Sequence, residues 1–507
     1  MTSPASLTRE ELIAEVEHLR GALFTAQLRI EKLELEKRKA LLAKYGAKGE
    51  TLGNLQLALL ELEPGVHQAE AEREANQPAP AADERKIRRR PAGGRGKLPA
   101  HLPREEKIVG VPAGQVNCQH CGRATEVIGY EESERLETIP ARHFVLVTKR
   151  EKRACPCCRK GVATAPAPAR IVDKSLLGDS TIVDVLVRKY SDHCPLYRQS
   201  GILNRDSGVE ISTATLDGIV MRVGEMLIPL AALLRRQILD SGYVQADETP
   251  IAVQQRPGRK GRHHQGYLWQ YGTPGGEAVF DFRMGRSRAG PAQVLKDFDG
   301  ILQTDGYAAY DQCGRRVLRA ACWAHARRGF AEALKLDAAD AEAESALRMI
   351  NELFAVDAEA RERALGHQER HLLRQRRSGP ALESLRVFLR QLQARVLPSS
   401  ALGKAVAYTL NLWVPLTLFL EQPRLELSNN PAENSMRPLA LGRKNWIHVG
   451  HPAAGPRVAA IISLVESCRR LCIPIRRYFA DVLPGLEQRS HRQLDSLTPH
   501  AWLAAHN

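Results

Sequence analysis

Four runs decide the fold: SGYVQADETPIAV (residues 241–253), HQGYLWQYGT (264–273), GEAVFDFRMG (276–285) and GILQTDG (300–306). All are short, rich in β-branched and aromatic residues, and bounded by turn residues, which is the pattern of strands. SRAGPAQVLKDF (287–298) lies between the last two and reads as a helix. VLRAACWAH (317–325) follows. Residues 326–425 are rich in Ala, Leu, Arg and Glu, with few strand signals, and read as helical. After residue 428 come a Pro-initiated helix, a basic turn and a last helix at 456–472. The reading is a multidomain α+β chain with strands in the middle and helices on either side.

Upstream of the strands, LYRQSGILNRD, SGVEIS and TATLDGIVMRVGEML (196–227) read as helix, turn, helix, with Ser212 or Thr213 as N-cap. Residues 172–240 are therefore expected to be a helical region. The helix pair is either a DNA-reading device or part of a plain bundle. Residues 64–109 form a basic, flexible linker, because RKIRRRPAGGRGK (85–97) carries seven basic residues and no acidic one. Near the N-terminus Leu12, Val16, Leu19, Leu23, Ala26, Ile30 and Leu33 form an a/d seam. That seam predicts a self-associating coiled coil within residues 8–63.

The chain has 507 residues and a formal net charge of +15. Its 43% apolar and 26% charged residues exclude a wholly disordered or fibrous chain. The charge favours a polyanionic partner, double-stranded DNA first. No run approaches the roughly 18 apolar residues of a membrane span. The N-terminus lacks a basic segment leading into an apolar one, so no secretory signal is expected. The ten cysteines include two close clusters, which suit metal rather than a disulfide framework. The expected location is cytoplasmic, associated with the nucleoid.

Cys118-Gln-His-Cys121 and Cys155-Pro-Cys-Cys158 are two C-x-x-C pairs inside residues 110–165. Two thiolates on one tight turn both reach an ion at about 2.3 Å, and two such turns close a tetrahedron. One structural Zn²⁺ on Cys118, Cys121, Cys155 and Cys158 is therefore expected. Cys157 and His120 are spare donors, and a redox dithiol is the alternative.

Asp247 ends the first strand run and Asp305 the fourth, 58 residues on. Glu433, in LSNNPAENSMRPLALGRKNW (427–446), lies a further 128 residues away. Converging acids can hold two divalent ions roughly 4 Å apart, and Mg²⁺ suits all-oxygen ligands. Each acid also has a plainer reading. Both aspartates suit strand-end turns. Asn430 as N-cap, Pro431 as N1 and Glu433 as N3 would make a capping box.

ADETP (246–250), LQTDGYAAY (302–310), CWAHARRGF (322–330) and NNPAENSMRPLALGRKNW (429–446), in that order, resemble the transposases of the insertion-sequence 66 family. GKLPAHLPREE (96–106), the paired cysteines, KYSDHCPLYRQ (189–199) and SLVESCRRLCIPIRRYFADVL (463–483) extend the resemblance over nearly the whole chain. It implies a DDE-type, RNase H-like catalytic domain, interrupted by a helical insertion before the glutamate. The parts are then 241–330 for the first section of that core, 331–425 for the insertion, 426–483 for the glutamate helix and C-terminal helix, and 484–507 for a tail.

In an RNase H-like sheet the first and fourth strands are neighbours, so the two aspartates would face one another. By position, Asp247, Asp305 and Glu433 are the implied catalytic acids, holding two Mg²⁺ ions with Mn²⁺ as an alternative. Glu248, one residue out of strand phase, should face the other way. His325 of the Cys322-Trp-Ala-His325 signature is either a phosphate- or water-orienting residue or a packed core histidine. Arg437, Arg443 and Lys444 flank the glutamate and suit phosphate. Arg256, Arg259, Lys260, Arg262, His263 and His264 form a basic tip between the first two strands, either touching DNA or simply solvated. The chain departs from the family at Asn434, where Arg is usual, and at the extra Cys157.

The implied activity is metal-dependent cleavage at the ends of an insertion sequence and strand transfer into target DNA. Small accessory proteins of the same element are further implied partners. The alternative is a catalytically inactive, zinc-containing DNA-binding dimer acting as a repressor.

Overall fold

The computed structural model describes residue 123 and residues 143–153, 163–254, 263–446 and 448–506. Two compact units divide the chain, residues 79–147 and the remainder. In the first, residues 143–147 form no helix or strand. The coiled-coil seam, the run 85–97, the cysteines of the two C-x-x-C pairs and the basic residues 256–262 lie outside the described residues. Short strands at Lys152–Arg153 and Ala163–Thr164 pair antiparallel on either side of residues 154–162.

Three helices lead into the sheet: α1 (Asp179–Tyr190), α2 (Leu196–Ser207) and α3 (Thr213–Asp240). Gly208, with φ of 68°, ends α2 in the left-handed conformation that glycine tolerates best. Ser212 caps α3, accepting from the Thr215 N–H at 3.1 Å. α3 is one continuous amphipathic helix. Leu216, Val220, Val223, Leu227 and Leu230 face one core, and Leu234 and Ile238 reach a second core beneath the sheet.

The sheet has five strands: β1 (Tyr243–Val253), β2 (His264–Gly272), β3 (Ala278–Arg283), β4 (Asp299–Gln303) and β5 (Arg316–Ala320). Their spatial order is β3-β2-β1-β4-β5. The β1–β2 and β2–β3 pairs are antiparallel, whereas β1–β4 and β4–β5 are parallel. A parallel partner needs a crossover, and α4 (Ala289–Val294) supplies it between β3 and β4. The two faces of β1 separate by alternation. Val244 and Ala246 face the core containing Trp269, Tyr271, Phe298 and Tyr310. Tyr243 and Ile251 point the opposite way, into two other cores.

After β5 come α5 (Trp323–Leu336), α6 (Ala341–Glu362), α7 (His367–Gln393), α8 (Ala401–Asn411) and α9 (Trp413–Thr417). They share a core of Trp323, Phe330, Ile350, Leu353, Phe354, Leu385, Leu389 and Val406, which meets the sheet at Tyr243 and Ile301. Asp340 and Ser400 cap α6 and α8 through backbone N–H groups.

α10 (Asn430–Trp446) and α11 (Gly455–Arg470) then return to the sheet. α11 crosses α3 closely: a Cβ on Gly224 would sit 2.8 Å from the Arg457 Cβ. Residues 484–507, read from sequence only as a tail, carry short helices after α12 (Ile475–Val482), namely α13 (His491–Leu494) and α14 (Pro499–His506). Leu494, Leu497 and Trp502 are buried in the core of α1–α3 and α11. Among the described residues, no helix is long and apolar enough to cross a membrane.

Candidate active site

The parallel register pairs Gln245 with Gln303. Two residues further along from each stand Asp247 and Asp305, beyond the paired β1–β4 register and on the same face. The Glu248 N–H donates to Asp247 Oδ1 at 2.9 Å. Asp305 accepts from the Tyr307 N–H at 2.9 Å, in a turn made at Gly306. Gly306 has φ of 94°, and a Cβ there would meet Leu412 Cδ1 at 2.7 Å, so both backbone and space call for glycine.

Glu433 is brought to the same face by the segment before α10. Gln245 Nε2 donates to the Ser428 carbonyl at 3.0 Å, and Asn429 Nδ2 donates to the Ala246 carbonyl at 3.0 Å. These bonds stitch the start of α10 to β1. The Trp323 N–H donates to the Leu427 carbonyl at 2.9 Å, which ties in the start of α5. Glu433 is buried, with Oε1 3.3 Å from His325 Nδ1 and Oε2 3.4 Å from Arg328 Nη2.

The capping-box alternative is not what forms. Asn430 is already inside the helix, and its side-chain amide makes no hydrogen bond. The Glu433 N–H donates instead to the Asn429 carbonyl at 3.2 Å. The carboxylate points toward α5.

Burial, then the charges of Glu433, Glu248 and Asp305, hold the Asp247 carboxyl well above the usual carboxylate range. Such repulsion opposes folding in the absence of a cation. An unfolded aspartate ionises near 3.9, so the unfolded chain loses this proton first. Stability therefore falls as pH rises above about 4, through the raised folded-state value. Asp247→Asn removes the group. At pH 7 without divalent ions, that variant is expected to melt higher than the parent, by about 2–4 °C per kcal/mol of repulsion relieved. A lower melting temperature would contradict the like-charge account.

Glu248 points to the other face, as its phase requires. It accepts from Arg286 at 2.6 Å and from the Tyr310 hydroxyl at 2.8 Å. Arg437 is exposed one turn beyond Glu433. Arg443 and Lys444 stand at the far end of α10, about 15 Å along its axis from the glutamate. Arg443 bonds the Pro250 carbonyl there. Two further side chains neighbour the acids. Arg328 follows His325 by three residues, so one face of α5 presents both, a spacing visible in CWAHARRGF. Tyr408 donates to the Asp305 carbonyl at 2.5 Å from α8, with no local signal to mark it.

Comparison with known proteins agrees with this architecture. The "Transposase IS66 family" profile matches residues 174–457, which include all three acids and the helices between them. The "zinc-finger binding domain of transposase IS66" matches residues 116–159 and spans both cysteine pairs. Residues 32–106 match "Transposase C of IS166 homeodomain". Three proteins of Sinorhizobium fredii, each described as uncharacterized, are similar over most of their length. y4jD is 33% identical, covering 98% of both chains. y4hP is 28% identical over 94% of this chain and 89% of its own. y4qI is 30% identical over 90% and 86%. With one profile matching over half the chain and two more upstream, the protein belongs to the IS66 family of transposases.

Proposed function

We propose that the chain cleaves the ends of an insertion sequence and transfers the freed 3′ ends into target DNA, using Asp247, Asp305 and Glu433 as one metal-holding set. The carrying observation is the convergence of acids from β1, the β4 turn and α10 on one sheet face. The strand order, with the first and fourth strands adjacent, supports an RNase H-like core. The set offers oxygen donors whose repulsion a hard divalent cation relieves, so it fits Mg²⁺. Held by these residues, two such ions, Mg²⁺ or Mn²⁺, would supply activation of the attacking water or 3′ hydroxyl and charge stabilisation at the leaving oxygen. Asp247 and Asp305 hold their positions from the strands, and Glu433 from α10. Tyr408 fixes the backbone at Asp305. Arg437, exposed beside Glu433, is suited to a DNA phosphate. The reaction is hydrolysis at each end, then transesterification by the freed hydroxyl.

The upstream parts complete the assignment: self-association through residues 8–63, phosphate contact from the linker, and DNA reading by α2 and α3. Incubating the protein with a duplex carrying an element end and Mg²⁺ tests the reading. The expected product is a strand with a 3′ hydroxyl at the element boundary. Tight binding without any cleavage would instead favour the repressor.

The family's zinc-finger domain supports zinc binding, and we assign Cys118, Cys121, Cys155 and Cys158 as the ligands. Ion binding and local folding are coupled in such modules. Cys118→Ser or Cys155→Ser should release about one equivalent of zinc, measured by elemental analysis, and leave residues 110–165 protease-sensitive. Undiminished zinc in both variants would overturn this ligand set.

A further inference from the structure

Three unlike side chains meet where α5 and α10 begin. A sulfur of Cys322, a ring nitrogen of His325 and a carboxylate oxygen of Glu433 all lie within 4.8 Å of one another. Thiol and imidazole are softer donors than Mg²⁺ takes, so catalysis by paired Mg²⁺ does not account for them. Ligands at about 2.0–2.3 Å from a tetrahedral ion sit about 3.3–3.6 Å apart. The His325 Nδ1 to Glu433 Oε1 separation, 3.3 Å, already has that spacing. The sulfur has to close by at most about 1.2 Å, which is within reach of a small side-chain rotation.

The surroundings fit a thiolate bound to a cation. Cys322 is fully buried at the N-cap of α5, where the helix dipole favours negative charge. The Asn429 N–H donates to its sulfur at 3.2 Å. Arg328 lies against Oε2 of Glu433, which leaves Oε1 toward His325.

We propose that Cys322, His325 and Glu433 bind one zinc-class ion in the DNA-free enzyme, and that this ion withholds Glu433 from the catalytic Mg²⁺ pair. Binding exchanges the thiol proton, released to solvent, for a metal–sulfur bond. Three protein ligands leave a fourth position for water. The binding claim stands on the geometry alone. The competition claim rests on the proposed catalytic role of Glu433.

The test is titration of full-length, metal-stripped protein with Co²⁺, whose thiolate complexes absorb in the near ultraviolet. The parent is expected to take up about two equivalents that show thiolate absorption, one at the paired cysteines and one here. Cys322→Ser should lose about one equivalent and its share of the sulfur absorption, and Cys118→Ser the other. His325→Gln, which leaves the buried sulfur in place, should weaken the same Co²⁺ equivalent at least about 10-fold. Equal stoichiometry in parent, Cys322→Ser and His325→Gln overturns the site. In the cleavage assay at fixed Mg²⁺, micromolar Zn²⁺ should inhibit the parent at least about 10-fold more than Cys322→Ala. Equal inhibition overturns the competition. If no protein cleaves under any condition, the transposition chemistry fails while the Co²⁺ count still decides the binding site.

Discussion

Asp247→Asn, Asp305→Asn and Glu433→Gln are each expected to abolish Mg²⁺-dependent end cleavage and strand transfer, by several orders of magnitude. Groups that hold metal as a unit lose nearly everything when one is removed. Each change keeps shape and removes negative charge, so binding to the element ends should survive. The two kinds of substitution have opposite structural consequences. Asp247→Asn relieves repulsion and should give a dead protein more stable than its parent. Glu433→Gln removes the charge facing His325 and Arg328, and neutral amide contacts are weaker than charge-assisted ones. The lost contacts cost about 1–3 kcal/mol, partly offset by relief of the repulsion that Glu433 exerts on Asp247. Helix start is not at risk, because the Asn429 carbonyl, not the Glu433 side chain, receives the first N–H groups of α10. Activity lost alongside raised stability at Asp247 cannot be ascribed to unfolding. Substantial cleavage by Glu433→Gln would remove that residue from the metal set.

The second large effect is on stability. Asp357→Ala should destabilise the protein by about 3–5 kcal/mol, because it strands a buried guanidinium. Asp357 and Arg374 are both fully buried in the helices after β5. Arg374 donates to the carboxylate at 2.8 and 2.7 Å, and Arg370 donates to it at 2.8 Å. Arg370 also grips Glu426 at 2.7 and 2.9 Å. The Glu426 N–H donates to the Tyr243 hydroxyl at 3.0 Å, and Gln303 donates to its carbonyl at 2.7 Å. The network therefore runs from α6 and α7 to the two strands that carry the aspartates. Burial alone would raise the Asp357 carboxyl, but Arg374 and Arg370 outweigh it and hold it below the usual range. A depressed value stabilises above the unfolded carboxylate pKa near 3.9, and that contribution is lost as pH falls below about 4. Urea denaturation of parent and Asp357→Ala at pH 7 and pH 3.5 measures both effects. A difference under about 1 kcal/mol at pH 7 would mean that water replaces the carboxylate easily.

Much of the architecture is legible locally. The strand runs announce themselves by composition and by the turn residues between them, and β1–β4 appear where those runs lie. Ser212 is recognisable as a cap because a hydroxyl just before an apolar helical period satisfies an N–H three residues on. The opposed directions of Asp247 and Glu248 follow from a two-residue period once the strand is known. The family resemblance rests on motifs dispersed along nearly the whole chain, and such order is a property of sequence alone.

Other features require the folded chain. From sequence, Glu433 has two available roles, one closed within a single helical turn as a capping-box residue and one as a distant partner of Asp247 and Asp305, 128 residues beyond the latter. The local role loses because Gln245 and Asn429 fasten the start of α10 to β1 and turn the carboxylate toward α5. Tyr408 reaches Asp305 across 103 residues, and no local period marks such a contact. Residues 484–507 show no continuous apolar pattern, yet Leu494, Leu497 and Trp502 fill gaps in a core made by distant helices. Periodicity reports which face of an element is apolar, because that depends on neighbours one turn away. It does not report which distant element covers that face, because that depends on the packing of the whole chain.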